Sequence, residues 1–430
     1  MKPLKQVGWM TGASLVIANM IGTGVFTSLG FQLVQQSNTW SILLLWMLGA
    51  VMALCGALSY AELGTHLVRS GGEYHYLSEL YHPLVGFLSG WVSMTIGFAA
   101  PIALAAIALS QYTSIYLTVS PKLLACAVVV MIGLVHSFNL KVSSTFQVIT
   151  TVAKVAFILL LIGCGFYFSS GSSSLDWTST WTSEIKQSSY AVSFVYVSFA
   201  YTGWNAAAYI VEEIKTPVVN LPKALIIGTG LVALLYVALN FIFLKQATLS
   251  QLQGQLEVGQ IVASNMFGPR GGQVSTFIIG LLLVSSISAM TWAGPRVTQV
   301  MSEEHKIFSF LSPLSSAGLP IRAIWFQVGI AILLILSGSF EQVLLYSGFI
   351  LQLFGALAVF SVFILRRRPV NGEKKFLSPF YPIPQILFTI FSIWILIFLV
   401  QEQPLESFIG IVNLLVGAII FYLSKKYFPV

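Results

Sequence analysis

The chain has 430 residues, of which 57% are hydrophobic, 13% aromatic and 8% charged, with a formal net charge of +7. An average soluble domain carries roughly a quarter charged residues, so too little charge is present to cover a water-facing surface, and a membrane protein is expected. A disulfide scaffold is excluded too, because Cys55, Cys126 and Cys164 stand singly within apolar segments and suggest no metal or redox motif.

In chain order, twelve apolar runs of about 20 residues, each enough for roughly 30 Å of hydrocarbon, make one membrane domain. They cover residues 7–33, 39–66, 84–117, 121–139, 144–168, 189–213, 221–246, 271–301, 320–337, 341–366, 381–401 and 404–424. The first run is too long for the apolar part of a signal peptide and reads as a retained helix. An even number of spans puts both termini on one side. With the termini inside, sixteen Lys and Arg residues, Lys2, Lys5, Lys141 and Lys374 among them, are internal, against Lys122, Lys186, Lys245 and Arg270 outside. That bias places both termini in the cytoplasm of a cell (inner) membrane and accounts for the positive charge without nucleic acid. Among the loops, 64–83 is expected to hold a short amphipathic helix. Leu249, Leu252, Leu256 and Val262 suggest an interfacial helix within 248–265.

Two spans are interrupted. The first contains Ala18-Asn19-Met20-Ile21-Gly22-Thr23-Gly24-Val25-Phe26, and the sixth contains Phe199-Ala200-Tyr201-Thr202-Gly203-Trp204-Asn205. Broken backbone at membrane depth is tolerated where it lines a cavity or packs against protein. Spans one and six each open a set of five helices, and interruptions at matching positions point to a transporter with its site between repeats. Free N–H groups at the start of a half-helix suit a carboxylate, and free carbonyls at the end of another suit an ammonium group, so a zwitterion fits both. The alternative is that Gly22, Gly24 and Gly203 only allow close helix packing.

Lys154 lies in a fifth span whose polar company is Gln147, Thr150 and Thr151. Counting from Ser144 at 1.5 Å per residue puts it roughly 15 Å deep, where an ammonium without partners costs about 3 kcal/mol, so it is expected to face the bundle interior rather than snorkel. No buried carboxylate is expected inside the spans, which argues against a cationic substrate side chain. Glu212 and Glu213 read either as a solvated helix end or as a cytoplasmic gate, and His66 and His136 as structural residues. No phosphate loop, nucleophile elbow or zinc motif occurs, so neither an enzyme nor a cofactor is expected.

These residues carry a resemblance. Residues 199–205, followed by Glu212-Glu213-Ile214-Lys215-Thr216-Pro217 and Asn220-Leu221-Pro222-Lys223-Ala224, resemble the signature of the amino acid–polyamine–organocation superfamily. Ile21-Gly22-Thr23-Gly24-Val25-Phe26, Ser59-Tyr60-Ala61-Glu62-Leu63-Gly64 and Arg69-Ser70-Gly71-Gly72-Glu73-Tyr74 are similar to other motifs of that superfamily, and within it to the L-type amino acid transporters and their bacterial relatives.

The resemblance implies an all-α, leucine-transporter-like fold with twelve transmembrane helices. Residues 7–168 and 189–366 would form a five-plus-five inverted repeat, and 381–424 two added helices. It implies alternating-access transport of neutral L-amino acids, small ones such as alanine, serine and cysteine, without sodium and by exchange. The alternative is a proton-coupled symporter of broader or larger neutral specificity.

By the same resemblance, Thr23 and Gly24, with Ile21 and Gly22 beside them, hold the substrate carboxylate. The carbonyls of Met20, Phe199 and Thr202 take its amino group, Ala200 and Gly203 belong to the same unwound site, and Asn205 stands near the side chain. Lys154 takes the place of a coupling sodium and works with Tyr236. Glu62, Arg69, Glu212 and Glu213 are gate candidates. The loop Thr118-Val119-Ser120-Pro121-Lys122 has no cysteine, so a disulfide-linked heavy subunit is not implied. The expected partners are the amino acid substrate and the lipid bilayer.

Overall fold

A computed structural model describes residues 7–113, 119–138, 140–168, 173–255, 257–337, 340–369, 375–402 and 404–427. Lys2, Lys5, Thr118, Leu256, Lys374 and the side chain of Lys141 lie outside the described residues. Helices α1 (Trp9–Met20) and α2 (Gly24–Gln35) share the first apolar run, and α3 (Thr39–His66) forms the second. Next come α4 (Glu73–Leu80), α5 (Pro83–Val92), a π-turn at Ser93–Gly97, α6 (Ala99–Thr113), α7 (Pro121–Phe138) and α8 (Leu140–Tyr167). The one-turn α9 (Trp181–Glu184) precedes α10 (Ser188–Ala200), a 3-10 segment at Ala206–Glu213 and α11 (Pro217–Gln246). The rest comprises α12 (Leu249–Leu252), α13 (Val258–Glu304), a 3-10 turn at Lys306–Leu311, α14 (Ile321–Ser337), α15 (Phe340–Leu365), α16 (Ile383–Glu402) and α17 (Pro404–Tyr427).

Ten spans among the described residues are long and apolar enough to cross a membrane, and two shorter apolar helices, Ser189–Ala200 and Ile321–Ser337, fall at the sixth and ninth expected runs. Burial sorts them. The most apolar stretch of the first run is 83% buried, whereas those of Pro121–Phe138, Ser143–Tyr167 and Ser407–Tyr427 are 28% buried. The interrupted first run is therefore central, and the latter three present their apolar sides outward, where a bilayer solvates them.

Local chemistry sets several boundaries. Asn38 caps α3 by accepting the Trp40 N–H at 2.9 Å, and Pro83 opens α5 at a position where its missing N–H costs nothing. Inside α13, Gly268 has φ +74 and precedes Pro269, so two helical stretches join there at an angle. The loop 64–83 does hold a short helix, α4, which exposes Glu79 and buries Glu73, Tyr74, His75, Tyr76, Leu77 and Leu80. Within 248–265 the described residues form the single turn α12 and, from Val258, the first stretch of α13, which ends at the Gly268 break. The turn is followed by Gly254, whose N–H bonds the Gly30 carbonyl at 2.8 Å, and Leu252 and Val262 point into the core.

Two long-range ties organise one end of the bundle. Val7 and Ile214 form an isolated parallel β-bridge, in which the Val7 N–H donates to the Glu213 carbonyl and the Lys215 N–H to the Val7 carbonyl, both at 2.9 Å. Glu62, fully buried, accepts Arg366 Nε at 2.7 Å and Arg366 Nη2 at 2.8 Å, and also the Ser378 N–H at 2.8 Å. The guanidinium stacks over the Tyr381 ring at 3.8 Å. Removing Arg366, itself a quarter exposed, strands the fully buried Glu62 carboxylate, so Arg366→Ala is expected to destabilise the protein by about 3 kcal/mol, read as a lower melting temperature in detergent.

Candidate functional site

The two breaks meet. α1 ends at Met20 and α2 begins at Gly24, while α10 ends at Ala200 and the 3-10 segment begins at Ala206. Gly24 presses on the end of α10 so closely that a Cβ there would lie 2.6 Å from Ala200 Cα. Gly203, at φ +101, presses back on α1, where a Cβ would lie 2.8 Å from the Asn19 carbonyl carbon. Packing and interruption are thus the same feature: glycine supplies both the backbone freedom and the close approach.

A half-helix ends in carbonyls without intrahelical donors and carries a partial negative charge there. Lys154 of α8 meets that end of α1. Its Nζ donates to the carbonyls of Ile21 at 2.5 Å and Ala18 at 3.4 Å and to Ser286 Oγ of α13 at 2.8 Å. Ser286 Oγ in turn donates to the Ile21 carbonyl at 2.8 Å. The ammonium is 1% exposed, so its three donors are used inside the bundle, as the sequence predicts, and not by snorkelling. Among the described residues no carboxylate pairs with it. Tyr236 of α11 joins the two breaks, its hydroxyl lying 2.5 Å from the Met20 carbonyl and 3.1 Å from the Ala200 carbonyl.

Beside the breaks lies a cavity of about 130 Å³. The unwound stretch contributes Phe199, Thr202, Gly203 and Asn205 to its wall, α1 contributes Asn19, α4 contributes Glu73, the π-turn contributes Ser93 and Gly97, and α15 contributes Gln352. Met20, Ile21, Gly22, Thr23, Gly24 and Ala200 are not on this wall; Gly24 with Ala200, and Met20 with Gly203, lie in the contact between the two breaks, and the Ile21 carbonyl faces Lys154 and Ser286. Two carbonyls in the region are already saturated. That of Met20 accepts the Tyr236 hydroxyl and the Gly22 N–H, and that of Phe199 accepts both the hydroxyl and the N–H of Thr202.

The charged residues expected at a gate occupy separate contacts. Arg69 pairs with Glu304 and, at 4.0 Å, with Glu303. Glu212 accepts the Ser70 N–H at 3.0 Å. Glu213, 2% exposed and therefore no solvated helix end, pairs with Arg296 at 2.5 Å. Glu62 turns away to Arg366. The two histidines serve structure: His136 Nε2 lies 2.8 Å from Ser288 Oγ, and His66 Nδ1 lies 2.8 Å from the Glu62 carbonyl. Among the described residues no three potential metal ligands cluster.

Three participants carried no sequence assignment. Ser286 is one polar residue among several in an apolar helix. The π-turn has no composition of its own, although such turns recur at functional sites. The expectation of no buried carboxylate within the spans fails at Glu62 in α3, fully buried against Arg366, and at Glu213 in the sixth run, 2% exposed against Arg296, and Glu73 from a loop helix adds a carboxyl group at the cavity itself.

Comparison with known proteins fits this geometry. Residues 7–422 match the family model described as amino acid permease. The chain is 27% identical over 432 residues to the serine/threonine exchanger SteT of Bacillus subtilis (strain 168), covering 98% of this chain and 97% of that protein. It is 27% identical over 427 residues to the human b(0,+)-type amino acid transporter 1, covering 97% of this chain and 87% of that protein. With the mouse Asc-type amino acid transporter 1 the identity is 28% over 441 residues, covering 98% and 81%. A match over nearly the whole chain, on a helical bundle with two broken helices at its centre, establishes that this chain belongs to the amino acid permease family, a family of multi-pass membrane transporters and not of enzymes.

Proposed function

We propose that the protein carries small neutral L-amino acids such as alanine, serine and cysteine across a cell membrane by alternating access, without sodium and by exchange. The observation that carries this reading is the meeting of two interrupted helices beside a cavity, with a lysine ammonium against the carbonyl end of the first. In this reading the chain crosses the membrane twelve times with both termini inside, residues 7–168 and 189–366 are the inverted repeats, and 381–424 is added to them.

The substrate carboxylate is assigned to the N–H groups at the start of α2, around Thr23 and Gly24, which lie off the present cavity wall and, in this reading, are reached when the contact of Gly24 with Ala200 loosens. The ammonium end is assigned to the Thr202 carbonyl, because those of Met20 and Phe199 each already accept two hydrogen bonds. A permanent ammonium at Lys154 supplies the charge that a bound sodium ion would supply, which supports sodium independence. A proton-coupled symporter is the second reading, favoured by the lack of a carboxylate partner for Lys154, which leaves its proton free to depart during a cycle.

In proteoliposomes, uptake of labelled alanine or serine is expected to saturate, to be unaffected by replacing sodium, and to accelerate with unlabelled amino acid inside. A pH gradient that drives net uptake would favour the symporter. Flux that does not saturate would indicate a channel, and saturable transport of a cation or sugar without competition by any L-amino acid would overturn the proposal.

A further inference from the structure

One wall of the cavity is polar in a directional way. Glu73 opens α4 behind Gly71 (φ +115) and Gly72 (φ +54), and Gly72 packs so closely on Tyr209 that a Cβ there would lie 2.4 Å from the ring. This approach delivers Glu73, 6% exposed, to the cavity edge. Three donors converge on its Oε1: the Tyr60 hydroxyl at 2.6 Å, Asn205 Nδ2 at 2.7 Å and the Tyr209 hydroxyl at 2.9 Å. Its Oε2 is buried without a hydrogen-bond partner. The Tyr209 hydroxyl also accepts from Asn205 Nδ2 at 2.8 Å.

A carboxamide nitrogen has two hydrogens, and here both are used, one on Glu73 and one on Tyr209. The amide oxygen of Asn205 therefore has to face the other way. Among the described residues no donor reaches it, and Asn205 lies on the cavity wall. The arrangement does not depend on the charge of Glu73. Burial pushes its carboxyl up and the hydrogen bonds from Tyr60, Tyr209 and Asn205 pull it down. A proton taken up would sit on the unpartnered Oε2, leaving Oε1 an acceptor in both forms.

We propose that Glu73 is a positioning residue which, with Tyr209, locks the Asn205 carboxamide with its oxygen toward the cavity, and that this oxygen selects substrates whose side chain donates from a hydroxyl group. The inference rests on the reading of the cavity as an amino acid site and adds a selectivity rule to it. An aliphatic side chain leaves the Asn205 oxygen dry and unpaired, whereas a hydroxyl satisfies it, so discrimination comes from an acceptor held in place.

The test compares matched substrates in proteoliposomes: serine against alanine, and threonine against 2-aminobutyrate. The intact protein is expected to favour the hydroxylated member of each pair about three- to tenfold in KM, the range of one net hydrogen bond. Glu73→Gln offers Asn205 a donor as well as an acceptor and lets its amide turn over; since a hydroxyl can also accept from the turned amide, both ratios are expected to fall by about half, while O-methylserine, an acceptor only that the locked oxygen rejects, is expected to gain on serine severalfold. Glu73→Asp, which remains a pure acceptor, is expected to restore part of the preference, a rescue that a purely structural role would not give. Should Glu73→Gln fail to fold, Tyr209→Phe removes one of the two acceptors of Nδ2 and is expected to weaken the preference. Equal KM values within each pair for the intact protein, or a preference undiminished in the folded variants, would overturn the inference. Amino acid transport that ignores the hydroxyl refutes only this selectivity rule, while uptake unaffected by every amino acid refutes the proposed function as well.

Discussion

Replacing Lys154 by alanine is expected to lower amino acid transport roughly 100-fold, whereas Lys186→Ala on the exposed surface is expected to leave it within about twofold. The ammonium supplies the Ala18 carbonyl and shares the Ile21 carbonyl with Ser286. Without it, the end of α1 loses its charged partner. A buried group left unpaired costs about 1–3 kcal/mol, and roughly 3 kcal/mol corresponds to 100-fold in an equilibrium. The cost falls on whichever state of the cycle needs α1, α8 and α13 held together, so rates measured from the two membrane faces are expected to change unequally. Unchanged kinetics on both faces, or a sodium requirement in the intact protein, would make Lys154 a tolerated structural residue.

Gly24→Val is expected to abolish transport and to lower the melting temperature as well. A Cβ at Gly24 would meet Ala200 Cα at 2.6 Å and Ala200 N at 3.3 Å, and these are backbone atoms that cannot rotate aside. Overpacking of this kind costs about 1–3 kcal/mol even when the surroundings adjust, and the adjustment here forces the two breaks apart. Gly230→Val is the matched control, since nothing stands within 4 Å of its added Cβ. Wild-type transport by Gly24→Val would refute both the packing role of Gly24 and its proposed place beside the substrate carboxylate.

The lone charge and the paired glycines were legible in the sequence because each violates the rule of its surroundings. A lysine in an apolar run has to find partners, and Lys154 finds three. Glycine within a span has to be explained by a break or a close contact, and Gly24 and Gly203 stand at both. Pairings between distant residues were not legible. Glu73 lies 132 residues from Asn205, and Glu62 lies 304 from Arg366. No periodicity encodes which acidic group meets which base, so Glu62, Arg69, Glu212 and Glu213 read alike as gate candidates while the fold gives each a different partner. Similarly, the mixture of charged and aromatic residues marks α4 as an amphipathic helix without telling that Glu79 stays exposed while Glu73 meets the buried Tyr60 and Tyr209.

The β-bridge between Val7 and Ile214 has a kinematic consequence. It clasps the chain just before α1 to the chain just after the 3-10 segment, through two hydrogen bonds of 2.9 Å. At their other ends the same two elements abut across Gly203 and Asn19. Joined at both ends, they behave as a single lever with one degree of freedom instead of two flaps with one each. Under the proposed alternating access, the two elements are therefore expected to swing together when a path to the cavity opens on that side.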